Sequence, residues 1–158
     1  MKLTLICIGK LSLDFLAEAS REYEKRIRRY TTIDVIELKE EKRGGKQPDV
    51  AAICQAETEK ILARIPSGAV AIALDETGEQ KSSVEFARDL ERHMIHGTPQ
   101  LYFIVGGAYG LTDALRQQCR TVLSLSKMTW THQMARVLLM EQLYRSLTII
   151  RNEPYHNS

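Results

Sequence analysis

Two loops in this sequence combine residue types that are suited to holding a ligand. The apolar run from Leu101 to Val105 stops at a pair of glycines, and a second run from Val122 to Leu125 stops at Ser-Lys-Met-Thr. Glycine has no Cβ and tolerates positive φ, so the backbone can turn sharply and a ligand can approach the main chain. In open α/β sheets, ligands bind outside the carboxyl ends of strands. The loops Gly106–Gly110 and Ser126–Thr131 are therefore predicted to form two walls of one pocket.

Side chains able to move a proton or hold an anion follow the second loop. His132 begins the last predicted helix, where it can serve as a base or cap the loop. Arg136 suits a phosphate or a developing anionic oxygen, or an ion pair within the fold. Tyr155 and His156 carry rings that can stack on a nucleobase or hydrogen-bond to it. With Tyr144, these residues are the candidates for chemistry at the predicted pocket.

Other potential ligands do not form a metal-binding pattern. Cys7, Cys54 and Cys119 are far apart and lack C-x-x-C spacing, which favours buried small apolar residues over a disulfide or a zinc site. His93 and His96 share one helix face without a third ligand nearby, which favours exposed or capping roles. No metal site is predicted.

The elements that must position these residues alternate along the chain. Apolar runs typical of buried strands are separated by segments that repeat apolar residues every three or four positions. This order predicts one α/β domain over residues 1–158, with a mainly parallel sheet flanked by helices. Besides the two runs above and a short helix between them, the predicted strands are Lys2–Ile8, Ile33–Leu38 (toward an edge) and Ala69–Leu74, and the predicted helices are Leu13–Tyr30, Val50–Arg64, Ser82–His96 and Thr131–Arg151.

The charge total restricts the kinds of partner. The chain has 158 residues and a net charge of +2, so contacts with nucleic acid must come from local clusters. One is the basic end of the first helix, and the other is the loop from Lys39 to Asp49, with Lys42, Arg43 and Lys46. Each is a candidate RNA contact or a solvated surface. No signal peptide or membrane-length run is found, so a cytoplasmic protein is expected.

The last predicted helix is strongly apolar. Its apolar residues, from Met134 to Ile150, form a face that is wide enough for more than one side of the helix to be buried. This favours a homodimer contact or the last helix of the core, and both can hold. The tail after Arg151 is expected to fray if nothing holds it.

Three segments together resemble a known family. The chain closely resembles the bacterial RlmH family of small SPOUT-class methyltransferases over essentially its whole length. The resemblance is carried by the strand followed by GGAYGL, by the segment SLSKMTWTHQMARVLLMEQLYRSLTII and by the terminal NEPYH. The resemblance implies a C-terminal trefoil knot, a homodimer and transfer of a methyl group from S-adenosylmethionine to N3 of a pseudouridine in 23S ribosomal RNA. By position it places the cofactor contacts at Leu74, Gly106, Leu125, Ser126, Lys127, Met128, Thr129 and Trp130.

The residues themselves leave the chemistry partly open. The acceptor nitrogen carries a proton that some group must accept, and His132, Arg136, Tyr155 and His156 are the candidates. A Rossmann site is disfavoured because G-x-G-x-x-G is missing. The near-neutral charge favours a shaped substrate such as the assembled ribosome. The alternatives are a SPOUT methyltransferase acting on another RNA, or a ribosome-binding module that retains a cofactor pocket without turnover.

Overall fold

In the computed structural model, which describes residues 1–156, five strands and five helices alternate along the chain. The α/β class is therefore confirmed. The strands are β1 (Lys2–Ile8), β2 (Ile33–Leu38), β3 (Val70–Gln80), β4 (Gln100–Val105) and β5 (Thr121–Ser124), and the helices are α1 (Asp14–Ile27), α2 (Val50–Leu62), α3 (Ser83–Ile95), α4 (Asp113–Gln118) and α5 (His132–Ile150).

The sheet has the order β2-β1-β4-β3-β5, and all pairings between these strands are parallel. β1 and β4 lie inside the sheet with helices on both faces, which explains why they are nearly continuous apolar runs. β2 is an edge strand, as its alternation of apolar and charged residues predicted. Because all strands run in one direction, their carboxyl ends meet along one edge.

Each face of the sheet has its own core. Leu5 and Phe103 point to the face that carries α1, α3 and α5, where they pack with Leu143. The alternate residues of the same strands, including Ile6 and Ile104, pack against α2 and α4. The capping box predicted at the start of α3, between Ser82 and Glu85, is confirmed.

β3 is longer than predicted. It continues to Gln80, and both Leu74 and Glu79 pair with Leu123, so the residues between them form an irregularity inside the strand. The turn predicted at Asp75–Gly78 is therefore wrong as the end of β3. Its polar composition is typical of a turn, but pairing with β5 holds the chain extended beyond it.

The core of this protomer accounts for much of the apolar character of α5. The helix packs beside both α1 and α3, and Leu139, Met140 and Leu143 have no exposed surface. Its apolarity is thus not in itself a sign of a dimer surface, and the homodimer stays a prediction.

The knot implied by the resemblance also stays a prediction, since strand order and pairing do not define a knot. Among residues 1–156, no helix is long and apolar enough to cross a membrane. The last two residues of the tail, Asn157 and Ser158, lie outside the described residues.

Candidate functional site

A cavity of about 900 Å³ lies at the carboxyl edge of the sheet, where β4, β3 and β5 meet. This volume is in the range of sites for small organic ligands. The loops Gly106–Gly110 and Ser126–Thr131, predicted to wall one pocket, both face it, although Lys127 does not line it. The apolar lining includes Leu74, Val105, Leu111, Leu123, Leu125, Met128 and Trp130.

Close packing of the backbone explains two glycines at this edge. A Cβ at Gly106 would lie 2.9 Å from the Leu111 side chain and 3.1 Å from the main chain of Gly110. A Cβ at Gly78 would lie 2.6 Å from the carbonyl oxygen of Val122. The distances of 2.9 and 2.6 Å are too short for a side chain, so glycine at these two positions allows the close packing at this edge.

Short-range hydrogen bonds shape the loop between β5 and α5. The Ser124 hydroxyl donates to the Ser126 carbonyl oxygen at 2.8 Å, and the Met128 amide donates to Ser126 Oγ at 3.0 Å. The Thr129 hydroxyl donates to Glu76, which ties this loop to the irregular part of β3. Thr131 then caps α5 by accepting a hydrogen bond from the amide of Met134.

Asp75 and Arg116 form the polar side of the cavity. The Arg116 guanidinium donates to Asp75 Oδ2 at 2.6 Å, and the Thr77 amide donates to Asp75 Oδ1 at 3.0 Å. Burial opposes ionisation of Asp75, but the hydrogen bonds from Thr77 and Arg116 outweigh it and lower the pKa of the carboxyl. Asp75 is therefore a fixed negative charge at the wall, beside the exposed carboxylate of Glu76.

Seven of the eight predicted cofactor residues line this one cavity. They come from three neighbouring strands: Leu74 from the middle of β3, Gly106 directly after β4, and five residues after β5. The seven are Leu74, Gly106, Leu125, Ser126, Met128, Thr129 and Trp130; Lys127 belongs to the same loop but lies outside the lining. Their role in cofactor binding stays a prediction.

Among the predicted catalytic residues, only His132 reaches the cavity. It lies in the first turn of α5, and its Nε2 is 3.5 Å from Glu40 Oε1, which is too long for a hydrogen bond. Within the described part of the chain, this buried nitrogen has no hydrogen-bond partner. The ring is therefore positioned at the wall, with its Nε2 buried beside Glu40.

Arg136 is placed differently from His132. It is 7% exposed, it does not line the cavity, and its Nη1 donates to Glu37 Oε1 at 2.6 Å. Of the two roles predicted for Arg136, the structure therefore shows the ion pair within the fold. The sequence offered no means of finding Glu37, since this partner is 99 residues away along the chain.

Tyr155 and His156 lie at the other end of α5. The Tyr155 hydroxyl donates to Glu141 Oε1 at 3.1 Å, and Arg145 Nη1 is 3.4 Å from His156 Nδ1. Tyr144 packs against Tyr155 with its ring centroid 4.6 Å away. Glu141 is nine residues beyond His132, which corresponds to about 14 Å along the helix axis. The described tail is thus held by contacts, and its two predicted catalytic residues do not line this protomer's cavity.

The other potential ligands have ordinary structural roles. Within residues 1–156, no group of three His, Cys, Asp or Glu side chains is arranged to hold a metal ion. Cys7 is buried, and burial raises its pKa to about 12; Cys54 and Cys119 are half-buried, so the prediction of three buried cysteines is wrong for these two. His96 Nδ1 lies 2.7 Å from the Arg92 carbonyl oxygen at the end of α3, in a capping position.

Sequence reasoning did not select Asp75, Glu76 or Arg116 for this site. The sequence predicts a turn at Asp75 and Glu76, and only the continuation of β3 beside β5 places them on the cavity wall. Arg116 lies in a short helix whose orientation depends on the core. Their one sequence signal is position: two acidic residues directly follow a buried strand, at the edge where ligands bind.

Comparison with known proteins identifies relatives over the full chain. The sequence profile described as "Predicted SPOUT methyltransferase" matches residues 1–156. A protein from Syntrophotalea carbinolica named "Ribosomal RNA large subunit methyltransferase H" is 51% identical over 157 residues, covering 99% of each chain. A protein of the same name from Geotalea daltonii is 44% identical over 157 residues, covering 99% of this chain and 100% of its own.

Solved structures support the same fold. A probable methyltransferase from Bordetella pertussis Tohama I superposes with a TM-score of 0.54 at 15% identity, covering 92% of this chain and 95% of that one. A putative methylase family protein from Neisseria gonorrhoeae has a TM-score of 0.52 at 9% identity, covering 99% and 85% of the two chains. These likenesses concern the fold alone. Given the profile match and the full-length relatives, the chain belongs to the SPOUT methyltransferase family.

Proposed function

We propose that this chain methylates N3 of a pseudouridine in 23S ribosomal RNA and that its substrate is the assembled ribosome. Family membership and relatives named as ribosomal RNA large subunit methyltransferases, at 40–51% identity, support methyl transfer to this class of RNA. One observation carries the proposal: a single cavity is lined by Leu74, Gly106 and the loop after β5, where the resemblance assigns cofactor contacts.

SPOUT methyltransferases use S-adenosylmethionine, and the residues of the cavity fit that molecule. The volume of about 900 Å³ is sufficient. Apolar side chains such as Leu125 and Met128 can flank the adenine, and Gly106 lets a ligand approach the main chain closely. The exposed carboxylate of Glu76 can complement a positively charged sulfonium or ammonium group, whereas that of Asp75 is paired with Arg116.

Positioning is the main task of the residues around the cavity. When bound, the cofactor supplies a methyl group already activated by its positive sulfur. The walls must then hold the acceptor nitrogen in line with that group and exclude water, which can account for a large part of the rate enhancement. The hydrogen-bonded loop from Ser124 to Thr131, tied to Glu76, is suited to this because its shape is fixed in advance.

We propose that His132 accepts the N3 proton. It is the predicted candidate that lines the cavity, and its Nε2 has no hydrogen-bond partner in residues 1–156. A neutral imidazole can accept a proton, and Glu40, 3.5 Å from Nε2, can then stabilise the imidazolium that results. Arg136 is less suited to contact the substrate because it is buried in its pair with Glu37.

We further propose a homodimer in which the tail of one protomer completes the cavity of the other. Four of the seven exposed large apolar side chains among the described residues line the cavity, namely Leu13, Tyr109, Met128 and Trp130. Such a cluster is typical of an interaction surface. Tyr155 contacts Glu141, which lies about 14 Å along α5 from His132 of its own protomer, so a role for Tyr155 at a cavity would be in the partner's. The knot and a cytoplasmic location are part of the same proposal.

Transfer of labelled methyl groups tests this function. The purified chain is incubated with labelled S-adenosylmethionine and ribosomes from a strain that lacks the modification, and the methylated position is mapped by mass spectrometry. We expect one added methyl group at N3 of a pseudouridine in 23S RNA. Methylation of another RNA would overturn the assignment of substrate. Cofactor binding without transfer to ribosomes would indicate a binding module instead.

A further inference from the structure

The loop between β2 and α2, residues 39–49, carries four positive and three negative side chains, and Lys42, Arg43 and Lys46 lie at its tip, between Glu41 and Asp49. We call this segment the basic arm; it contains Lys39, Lys42, Arg43 and Lys46. Within the described part of the chain, neither Lys42 nor Lys46 forms an ion pair. Arg43 forms a long one, with its Nε 3.8 Å from Glu41 Oε2. Every residue from Lys42 to Asp49 is exposed. The protein thus holds free cations here although its net charge is only +2.

The base of the basic arm is attached to α2. The Glu41 amide donates to Glu57 Oε1 at 3.0 Å, and Glu57 is only 5% exposed. Lys60 donates to the Lys39 carbonyl oxygen at 2.8 Å and pairs with Glu41 at 2.5 Å. Three contacts from two successive turns of one helix therefore fix the arm immediately before its free cations begin.

The same base touches the cavity wall on two sides. A Cβ at Gly107 would lie 2.9 Å from Glu57 Oε2, so the carboxyl that holds the arm also lies against the loop after β4. Glu40 lies 3.5 Å from His132 Nε2 in the first turn of α5. The arm is consequently anchored at the rim of the cavity.

The tip of the arm folds back through two glycines. Gly44 and Gly45 have φ values of +90° and +55°, which glycine adopts without strain. The Gln47 amide donates to the Gly44 carbonyl oxygen at 3.0 Å, and the Asp49 amide to that of Arg43 at 3.1 Å. These two hydrogen bonds keep Lys42 and Lys46 close together at the tip of the arm.

We infer that the basic arm binds backbone phosphates of the RNA substrate beside the nucleotide that enters the cavity. This inference rests on the proposed function. Lysine is a flexible point charge that suits phosphate without reading base identity, and each neutralised phosphate releases condensed counterions. The arm therefore adds affinity and orientation at the cavity mouth without altering the cofactor site.

The test replaces Lys42 and Lys46 together. In K42Q/K46Q, we expect kcat/KM for ribosomal particles to fall roughly tenfold at about 0.1 M salt, and its logarithmic salt dependence to weaken by about 1 per lysine. Affinity for S-adenosylmethionine, measured by calorimetry, stays unchanged. The matched control is R64Q/R120Q, which removes two exposed positive charges at the opposite edge of the sheet and leaves the salt dependence as in the wild type.

Two outcomes distinguish a failure of the inference about the basic arm from a failure of the proposed function. If the unaltered protein methylates ribosomes and K42Q/K46Q has the same kcat/KM and salt dependence as the control pair, the basic arm does not bind RNA. If the unaltered protein itself fails to methylate ribosomal RNA, the proposed function fails first. A loss of cofactor affinity in K42Q/K46Q would also contradict the inference, because the arm would then act on the cavity.

Discussion

The two ends of α5 differ in what their polar side chains contact. At the cavity end, His132 Nε2 and Arg136 Nε have no hydrogen-bond partner among residues 1–156. At the tail end, Glu141 accepts hydrogen bonds from both Arg145 and Tyr155, and the Arg145 guanidinium lies 4.8 Å from the Tyr155 ring centroid. Buried polar groups without partners are costly. Ser146 Oγ, toward the tail end, also has no partner among these residues, so the clearer difference is that Glu141 joins the described tail to α5 through two hydrogen bonds.

Two side chains at the tail end of α5 have raised pKa values. Burial, then contacts with Tyr23 and Glu141, raise the pKa of Tyr155 well above its usual range, so this phenol stays neutral and is a poor base in its observed position. The hydrogen bond to Glu141 also raises the pKa of Arg145, which keeps the pair charged. If Tyr155 takes part in the reaction, it acts as a hydrogen-bond donor or stacking surface, and the proton passes to another group.

The largest expected effect comes from filling the close approach at the cavity end. In G106V, the new side chain would collide with Leu111 and the main chain of Gly110. We expect affinity for S-adenosylmethionine, measured by calorimetry, to fall about 100-fold, equivalent to about 3 kcal/mol. The control is G68N, because Gly68 has φ of +77° with no atom within 4 Å of a Cβ, and asparagine tolerates this conformation. Near-normal cofactor affinity in G106V would remove this cavity as the cofactor site.

Replacing the proposed proton acceptor should have an effect of similar size, on kcat rather than on cofactor affinity. In H132N, we expect kcat to fall about 100-fold, the usual contribution of a general base, with cofactor affinity within about twofold of the wild type. The comparable variant H96N replaces an exposed histidine at the end of α3 and should leave both constants unchanged. A single-turnover rate for H132N within threefold of the wild type would mean that His132 only caps or packs the loop.

Much of this division between the two ends could be predicted from the sequence, but not all of it. The strand ends at Val105 and near Leu125 could be predicted because their apolar runs stop at glycine or at polar residues. These local patterns were sufficient to predict that the two loops line one cavity. The pairing of Arg136 with Glu37 could not be predicted, because it depends on the position of β2 relative to α5. The continuation of β3 past Asp75 likewise depends on β5, a contact distant in sequence.

Deleting the tail tests whether it acts in the reaction or only packs against α5 of its own protomer. A chain ending at Asn152 loses the contacts of Tyr155 with Glu141 and Tyr144. We expect methyl transfer to fall at least about tenfold, because the partner's cavity is left open, while thermal unfolding shifts by only a few degrees. Wild-type methylation by the truncated chain would show that the tail has no catalytic role.

Mixing two defective chains makes the same test more specific. H132N has an intact tail, and the truncated chain has an intact cavity. If the composite site forms, an equal mixture allowed to exchange protomers recovers activity to about a quarter of the wild-type level, since half of the dimers carry one complete site of two. No recovery, with exchange verified by native mass spectrometry, would place the tail's action within its own protomer.

The smallest effect concerns the fixed charge on the cavity wall. Because the folded protein lowers the pKa of Asp75, its carboxylate stabilises the fold above the usual carboxyl range, and this contribution is lost as the pH falls through the folded pKa. We therefore expect D75N to be about 1–2 kcal/mol less stable than the wild type at neutral pH, and the two to converge from about pH 5 downward. D113N is the matched control: Asp113 also pairs with Arg116, but its side chain is 83% exposed, so its removal should cost well under 1 kcal/mol. A difference between D75N and the wild type that persists unchanged to about pH 2 in urea unfolding would show that packing, rather than charge, explains the role of Asp75.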